Sequence, residues 1–567
     1  MRRFVQRLLV LTSLIGATLY LLRRYLLALM LRIRPPQYAV KVTRGIMIQS
    51  EGVPLATDHY APSGWRARGK RFPTVLIRSP YGRNLSGGAF GFSLAFMANR
   101  YAERGYHVVV QDTRGRGDSG GGFTPFKHER ADGLATVAWI EQQEWFNGEL
   151  ATWGGSYLGI VQWAIADRVP SLKAMLVAIS SSDLDGIVFP DGAFDLSLAL
   201  HWLTLFELLD SGSSLKVLPN IDRLSARGAM HLPLIQADSA ALKAPLPFFQ
   251  EWLSQGEHQT LWPNLQYDCQ LDKVSAPVHL ISGWYDVFLR GTLNDYRKLR
   301  EAGQQPYLTV GAWTHFQEII QFVDTRQGLA WFDAHLKQRA TLPPKPVRLF
   351  VMGLNQWRDY DSYPPPSQET RLYLHQDGAL SFDAPSTWES PDAYAYNPLN
   401  PTPILGGTQL SLSAGRRDNR KLESRPDVLV YTSAPLVRPL EIIGAVRLQL
   451  HVASDVDYAD FYGRLTDVHP DGRSINLCDG LRRITPQDIT RAEDGTLCVE
   501  IDLWATAHHF KAGHRVRLIV SSGAHPRWAR NLGHADQMMG TDGQCAHHTV
   551  YHDALHPSAL MLPITQH

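Results

Sequence analysis

Between Thr74 and Gly311 the sequence alternates short apolar runs of strand character with segments of helical spacing. Strands that alternate with helices of about 10–15 residues are typical of right-handed βαβ units and a mostly parallel sheet. An antiparallel hairpin is predicted just before them, around Gly52. The predicted strands are Thr74–Arg78, His107–Gln111, Leu150–Trp153, Ala174–Ile179, Val278–Ser282 and Tyr307–Gly311, and the predicted helices are Ser93–Arg104, Arg130–Gln142, a segment ending at Asp167, and Leu293–Glu301.

The alternation of predicted strands and helices changes at two places along the chain. Residues 183–267 are rich in Leu and Ala at helical spacing, which predicts a helical insertion that caps a site. After the proline run Pro343–Pro346 the pattern changes to many short alternating strands separated by Pro/Gly turns, which is typical of a β-sandwich or jelly roll. We therefore expect one domain over 37–342 and a second over 343–567.

Composition and charge exclude several classes of protein. The 567 residues are 44% hydrophobic and 19% charged, so a disordered or collagen-like chain is ruled out. The net charge is only +2, which gives no support for nucleic acid as a partner. The first forty residues contain seven arginines and no acid, so the basic excess belongs to an N-terminal tail.

That tail, residues 1–36, has membrane character. Leu8–Leu22 is free of charge and has arginines on both sides. Three membrane-related interpretations remain open: a signal peptide, a span over Leu8–Leu31 in which Arg23 and Arg24 snorkel, and a helix lying in the membrane interface. A helix packed on the body of the protein is the alternative to all three. We expect membrane association through this segment, with secretion or periplasmic release after cleavage as the alternative. The orientation and the oligomeric state stay open.

The cysteines and the glycine-rich loop give no cofactor site. None of the four cysteines forms a CxxC pair, so four scattered thiols are favoured over a Cys478–Cys498 disulfide. The stretch Gly115–Gly120 matches G-x-G-x-x-G, but a loop follows it where a dinucleotide fold needs a helix. The pairs His508-His509 and His547-His548 are adjacent, which favours solvated loop or strand residues over metal ligands. We expect neither a cofactor nor a metal in the reaction.

The strongest local motif surrounds Ser156. The stretch Trp153–Gly159 follows a predicted strand and precedes a predicted helix. A nucleophile elbow needs small residues beside its serine, because the chain turns sharply there, and Gly154 and Gly155 provide them. The usual second glycine is replaced by Leu158, so a glycine-rich turn with a capping serine is the alternative.

A nucleophilic serine needs a base and an orienting carboxylate, and in α/β-hydrolases these follow in the order Ser, Asp, His. Asp286 and His315 come just after two successive predicted strands, in that order. The oxyanion donors are expected to be the backbone N–H of Tyr157 and the phenol of Tyr81, which lies in the loop after an earlier strand. A loop tyrosine packed on the surface is the alternative for Tyr81.

Taken together, these motifs resemble the CocE/NonD family of serine hydrolases, which includes cocaine esterases and X-Pro dipeptidyl-peptidases. The resemblance runs from about Val40 to the end and is carried by Arg78–Gly82, Gln111–Ser119, Gly154–Gly159, Gly283–Asp286, Gly311–His315, Ala330–Asp333, Val351–Trp357 and Asp460–Gly472. It implies an α/β-hydrolase fold with a helical cap and a C-terminal jelly roll. The family pattern G-x-S-Y-x-G also accounts for Leu158.

Position by position, the resemblance implies that Ser156 is the nucleophile, His315 the base and Asp286 its orienting partner, with Tyr81 and Tyr157 as oxyanion donors. It makes the loop Asp112–Ser119 structural. It therefore predicts a serine hydrolase that cleaves a small ester or amide, or a short peptide, through an acyl-enzyme.

The alternatives are an X-Pro dipeptidyl-peptidase and a catalytically silent, membrane-tethered binding protein. The segment 256–262 lacks the proline that the family often has in its cap. No acidic pair is clearly placed to hold a free amino group, which favours the esterase.

Overall fold

The computed structural model describes residues 22–210, 217–255, 266–317, 325–487 and 491–566. They fall into two compact units. The first comprises Met1–Val177, Lys273–Val278 and Gln321–Leu342, and the second comprises Ala178–Asp272, His279–Ile320 and Pro343–His567. The tail segment Leu8–Leu22 and the cap segment 256–262 lie outside the described residues, apart from Leu22.

Strands and helices are numbered in chain order. The strands are β1 Ala39–Ser50, β2 Val53–Ser63, β3 Phe72–Ser79, β4 His107–Asp112, β5 Phe146–Gly155, β6 Leu172–Ala178, β7 Val278–Tyr285, β8 Tyr307–Thr314, β9 Val347–Val351, β10 Gln356–Tyr360, β11 Ser367–His375, β12 Ala379–Ser381, β13 Asp392–Tyr396, β14 Leu429–Ser433, β15 Leu440–Ser454, β16 Ala459–Val468, β17 Ser474–Ile484, β18 Leu497–Phe510, β19 Arg515–Ser521, β20 Ala546–Tyr551 and β21 Ala559–Thr565. The helices are α1 22–30, α2 Gly88–Ala102, α3 Glu129–Glu141, α4 Tyr157–Ala166, α5 Asp185–Val188, α6 Leu196–Asp210, α7 Val217–Ala229, α8 Ala237–Leu242, α9 Pro247–Gln255, α10 Leu289–Glu301, α11 Thr325–Lys337 and α12 Arg420–Glu423.

The first unit is built on six strands in the order β1-β2-β4-β3-β5-β6. β1 and β2 form the expected antiparallel hairpin, and β3 pairs in parallel with both β4 and β5. The apolar runs of β3 and β4 are buried throughout, as in parallel strands covered on both faces. The predicted alternation of strands and helices is confirmed here.

In the second unit, β7 to β10 are neighbours in chain order. β7, β8 and β9 are parallel, and β10 returns antiparallel to β9. The sequence pattern assigned β9 to the C-terminal strands because it follows the proline run at 343–346. In the structure β9 pairs instead with β8, and Val347, Leu349 and Val351 are fully buried. The boundary at 342/343 itself stays a prediction.

The described part of the stretch between β6 and β7 is largely helical, as its spacing predicts. It contains α5 to α9, and α6 is the most buried of them because ten of its fifteen residues lie in the interior. In that helix Trp202 packs edge-on against Phe206 at 4.7 Å between ring centroids.

Within the second unit, the C-terminal strands β11 to β21 form a sheet of their own. Their order is β13-β20-β15-β21-β11-β12-β14-β19-β16-β17, with β18 paired to β15. Along β15, every second side chain points to the same face of the sheet. Those on the inner face are fully buried: Val446, Leu448, Leu450 and Val452. These side chains belong to the core of the domain.

The structure tests the expectations for the cysteines and for the two histidine pairs. All four cysteines are free thiols, as favoured, and Cys478 is the buried one. The histidine pairs do lie in strands, β18 and β20, but the expectation that they are solvated is wrong for His508 and His548. Both are buried, because neighbouring residues of a strand point to opposite faces.

Helix α1 leaves an apolar surface. Tyr25, Leu29 and Met30 are 53%, 75% and 77% exposed. In the same helix, Arg24 Nε donates to Glu103 Oε1 at 2.6 Å. Within the described ranges, no helix combines the length and the apolar character that crossing a membrane requires.

Candidate active site

Ser156 occupies a strained turn between β5 and α4. Its φ of 56° and ψ of −126° lie in a region that residues other than glycine rarely adopt, and such strain is typical of a nucleophile elbow. Its carbonyl accepts hydrogen bonds from the N–H groups of Gly159 and Ile160, which starts the helix. Gly154 allows the close approach of strand and helix, because a Cβ there would lie 2.4 Å from Leu158 Cβ. The side chain of Ser156 is half-buried.

The next residue, Tyr157, is fixed by its own side chain. Its hydroxyl donates to Glu129 Oε1 at 2.7 Å and accepts from the backbone N–H of Phe126 at 3.0 Å. Glu129 is paired with the buried guanidinium of Arg78 at 2.9 Å. Burial, and then the nearby Glu129 carboxylate, raise the pKa of Tyr157 well above its ordinary value, so the hydroxyl remains a donor. The side chain therefore anchors the backbone N–H that the sequence assigns to the oxyanion.

Tyr81 lies in the loop that follows β3. β3 and β5 are parallel neighbours, Leu76 faces Thr152, and each strand runs on for three residues before its loop. The loops that carry Tyr81 and Ser156 therefore leave the same edge of the first unit's sheet. The backbone N–H of Tyr81 donates to Ser79 Oγ at 3.1 Å, and its ring lies 5.3 Å from that of Phe90.

The loop after Tyr81 is tied down by the buried Arg83. Its guanidinium binds Asp58 at 2.9 Å, Asp118 at 2.7 Å, and Asp112 as a third partner. Because Arg83 is two residues from Tyr81, this network restricts where the phenol can go.

The glycine-rich stretch Gly115–Gly120 belongs to this network. A Cβ at Gly117 would lie 2.2 Å from Asp112 Oδ2, so the glycine is required by the close approach of that carboxylate. The next helix begins only at Glu129, and the strand–turn–helix context of a dinucleotide site is missing.

In the second unit, Asp286 and His315 lie side by side. They directly follow β7 and β8, which pair in parallel up to Tyr285 opposite Thr314. His315 Nδ1 is 2.7 Å from Asp286 Oδ2. Asp286 Oδ1 accepts from the backbone N–H of Phe288 at 2.7 Å, and both partners are almost completely buried. The carboxylate thus has a fixed orientation, and it fixes the ring of His315.

The structure thus brings together Asp286 and His315 in one compact unit, and it places Ser156, Tyr157 and Tyr81 in the other. The sequence analysis missed Glu129 as the partner of the Tyr157 hydroxyl. The two residues are 28 positions apart, and no motif links them.

Comparison with known proteins agrees with these motifs. Residues 51–317 match the model of the X-Pro dipeptidyl-peptidase (S15) family, and residues 340–561 match its C-terminal non-catalytic domain. The chain is 32% identical to a cocaine esterase from Rhodococcus sp. (strain MB1 Bresler) over 579 aligned positions, which cover 92% of this chain and 98% of that one. The chain belongs to the X-Pro dipeptidyl-peptidase (S15) family. It is a serine hydrolase.

Two solved structures share the fold. An α-amino acid ester hydrolase superposes with a TM-score of 0.75 at 22% identity, covering 93% of this chain and 97% of its own. A CocE/NonD family hydrolase from Staphylococcus aureus superposes with a TM-score of 0.67 at 17% identity, covering 93% and 94%. The family models and the 32% identity to a cocaine esterase confirm the resemblance to CocE/NonD hydrolases, and the family gives no support to a silent binding protein. Its members act on small molecules or peptides.

Proposed function

We propose that this S15-family hydrolase uses Ser156 as nucleophile, His315 as general base and Asp286 as the residue that orients the base. The observation that carries this assignment is the buried His315–Asp286 pair, at 2.7 Å, directly after two parallel strands. The carboxylate holds the proton on Nδ1, which leaves Nε2 free to take a proton. The strained conformation of Ser156 between strand and helix supports its role as nucleophile.

The reaction then follows acyl-transfer chemistry. Ser156 Oγ attacks the substrate carbonyl while His315 accepts its proton, and the protonated imidazole then gives that proton to the leaving group. Water attacks the acyl-enzyme in the same way and releases the acid. No step needs a metal or a cofactor.

We further propose that the Tyr157 N–H and the Tyr81 hydroxyl stabilise the oxyanion of the tetrahedral intermediate. Two features support the proposal: the loops of Tyr81 and Ser156 leave the same sheet edge, and Tyr157 is anchored by Glu129. Removing one oxyanion donor costs about 2.7–4 kcal/mol of transition-state stabilisation in other hydrolases.

The architecture that we propose is an α/β-hydrolase domain over 37–342, with a helical cap at about 183–267, and a jelly-roll domain over 343–567. Parallel β3, β4 and β5, and parallel β7, β8 and β9, support the first domain. Helices α5–α9 support the cap, and the mainly antiparallel strands β11–β21 support the second domain.

For the substrate, we propose an ester, with X-Pro dipeptide release as the alternative. The 32% identity to a cocaine esterase over nearly the whole chain supports an ester, while the matched family model is named for X-Pro dipeptidyl-peptidases.

The test compares hydrolysis of a short-chain p-nitrophenyl ester with that of an Ala-Pro p-nitroanilide, using Ser156→Ala as the blank. Turnover of the ester alone is expected. Turnover of the anilide at comparable kcat/KM would contradict the ester proposal and establish the peptidase.

We also propose that residues 1–36 attach the enzyme to a membrane surface. The exposed apolar side chains of Tyr25, Leu29 and Met30, next to an arginine-rich tail without acids, support this. The full chain is expected to float with anionic lipid vesicles, and a chain lacking residues 1–36 to stay in the unbound fraction. Equal behaviour of the two proteins would contradict the proposal.

A further inference from the structure

Three side chains of the C-terminal strand domain converge away from the residues discussed above. Asp467 lies near the end of β16, His469 lies in the following turn, and His514 directly precedes β19. One oxygen or nitrogen atom from each falls within 4.8 Å of the other two. Imidazole nitrogens and carboxylate oxygens are donor atoms that commonly bind Zn²⁺. The three side chains bring such atoms close enough together to share one ion.

The carboxylate at the centre is buried and oriented. Asp467 Oδ1 is 2.8 Å from His514 Nδ1, and Oδ2 is 3.0 Å from His508 Nε2. His508 lies in β18, and its side chain is 1% exposed. A hydrogen bond from a buried histidine to a carboxylate is a common way to hold a metal ligand in place.

His469 has a ring nitrogen whose surroundings indicate a missing ligand. Its Nε2 is 3.7 Å from Asp467 Oδ2, which is too far for a hydrogen bond. Within the described residues this nitrogen is buried and has no hydrogen-bond partner. A buried polar atom without a partner costs stability, and an ion between His469 and the carboxylate would satisfy it.

We propose that Asp467, His469 and His514 bind one Zn²⁺ ion, with His508 orienting the carboxylate. The donor atoms are a carboxylate oxygen, His469 Nε2 and His514 Nδ1, and water completes the tetrahedron. The proton on His514 Nδ1 moves to Nε2 when the ion binds. The ion joins the turn between β16 and β17 to the start of β19, so its binding stabilises the folded chain.

One nearby cation must be accommodated. The Arg473 guanidinium lies 3.4 Å from His469 Nδ1. Because a guanidinium only donates, Nδ1 accepts in this contact and the proton of the neutral ring is on Nε2. Arg473 is half exposed and is bound by Asp471 at 2.7 Å, so it turns toward solvent when the ion binds Nε2 and the proton moves to Nδ1.

A second His/carboxylate cluster in the same domain provides a contrast. Glu389 contacts His375 Nδ1 at 2.8 Å and His552 Nδ1 at 3.2 Å. The other nitrogen of each ring is also bonded, to the Asp383 carbonyl at 3.0 Å and to Asp392 at 3.1 Å. Both nitrogens of each imidazole thus have a hydrogen-bond partner without an ion.

The experiment titrates ZnCl₂ into the metal-free full chain by calorimetry and follows Tm in parallel. The variant is His469→Ala, and the control is His547→Ala, which removes an exposed histidine paired with Asp455 at 2.8 Å. We expect one ion per chain, a rise in Tm with Zn²⁺, at least a tenfold weaker affinity for His469→Ala, and no change for His547→Ala.

Absence of stoichiometric binding by the wild-type chain overturns the proposal, as does equal affinity of His469→Ala. If His469→Ala fails to fold, Co²⁺ replaces Zn²⁺ in the wild-type chain. An intense visible absorption of tetrahedral Co²⁺ supports the site, and the weak spectrum of hydrated Co²⁺ overturns it. Ester turnover is measured separately, and its loss or retention bears only on the proposed catalytic residues.

Discussion

His315 Nδ1 lies 2.7 Å from Asp286 Oδ2, and the other oxygen of Asp286 is held by the Phe288 N–H at 2.7 Å. Both side chains are buried, so water does not compete for this hydrogen bond. The carboxylate is acceptor-only, which places a proton on Nδ1 and leaves the lone pair of Nε2 available. This geometry supports the roles that we propose for the pair, His315 as general base and Asp286 as the residue that orients it.

Asp286→Asn keeps the shape of the side chain but lets its amide donate to His315 Nδ1, which favours the wrong tautomer. We expect kcat for a p-nitrophenyl ester to fall about 10³–10⁴-fold, with little change in Tm. Steady-state kinetics and circular dichroism test this. Activity within tenfold of wild type in a folded variant would remove Asp286 from the mechanism.

Tyr157→Phe deletes the hydroxyl that joins Glu129 to the Phe126 N–H. It leaves a buried carboxylate oxygen and a buried N–H without this partner, so the free energy of unfolding should fall by about 1–3 kcal/mol. Because the Tyr157 N–H loses its anchor, kcat should fall while KM changes little.

The matched control is Tyr60→Phe. The Tyr60 hydroxyl is buried but has no hydrogen-bond partner within the described part of the chain, so its removal should leave stability and kcat nearly unchanged. Equal effects of the two substitutions, measured by urea unfolding and ester kinetics, would refute the anchoring role.

Gly154→Ala would place a methyl group 2.4 Å from Leu158 Cβ. Strand β5 and helix α4 would have to separate, at a cost of about 1–3 kcal/mol, and kcat should fall as Ser156 shifts. Gly122→Ala is the control, because no atom lies within 4 Å of its added Cβ. In denaturant unfolding, the free energy of unfolding should fall for Gly154→Ala and should change by no more than about 0.5 kcal/mol for Gly122→Ala.

Asp295 predicts a pH effect on stability. Burial raises the pKa of this carboxyl to about 8, despite hydrogen bonds from the Ser182 N–H and hydroxyl. The pKa of Asp295 is therefore higher in the folded chain than in the unfolded chain. Its contribution to the free energy of unfolding is complete below about pH 4 and is lost as the pH rises through 8.

Asp295→Asn mimics the protonated acid, so it should remove a few kcal/mol of the decline in unfolding free energy between about pH 4 and 8. Asp272→Asn, at an exposed carboxyl, is the control. An unchanged pH profile for Asp295→Asn in urea unfolding would contradict the assignment.

The sequence could predict the parallel strands and the pairing of Asp286 with His315. The apolar runs have the right length for strands, and the carboxyl ends of neighbouring parallel strands meet at one edge. It placed β9 in the wrong group of strands, because a run such as Val347–Val351 does not reveal whether its neighbour is β8 or a strand of the C-terminal domain.

Contacts between side chains far apart in sequence could not be predicted. Glu129 reaches Tyr157 only because α3 packs beside α4. The cluster of Asp467, His469 and His514 forms only when β16 and β19 pair. In the sequence His508 stands out merely as half of a histidine pair, although it points into the interior beside Asp467.

The role of Ser156 as nucleophile can be tested by labelling the wild-type chain with a fluorophosphonate, followed by digestion and mass spectrometry. We predict one adduct, on Ser156, together with loss of ester turnover, and no adduct on Ser156→Ala, which should retain the wild-type circular dichroism spectrum. An adduct on another serine, or full turnover by Ser156→Ala, would contradict it.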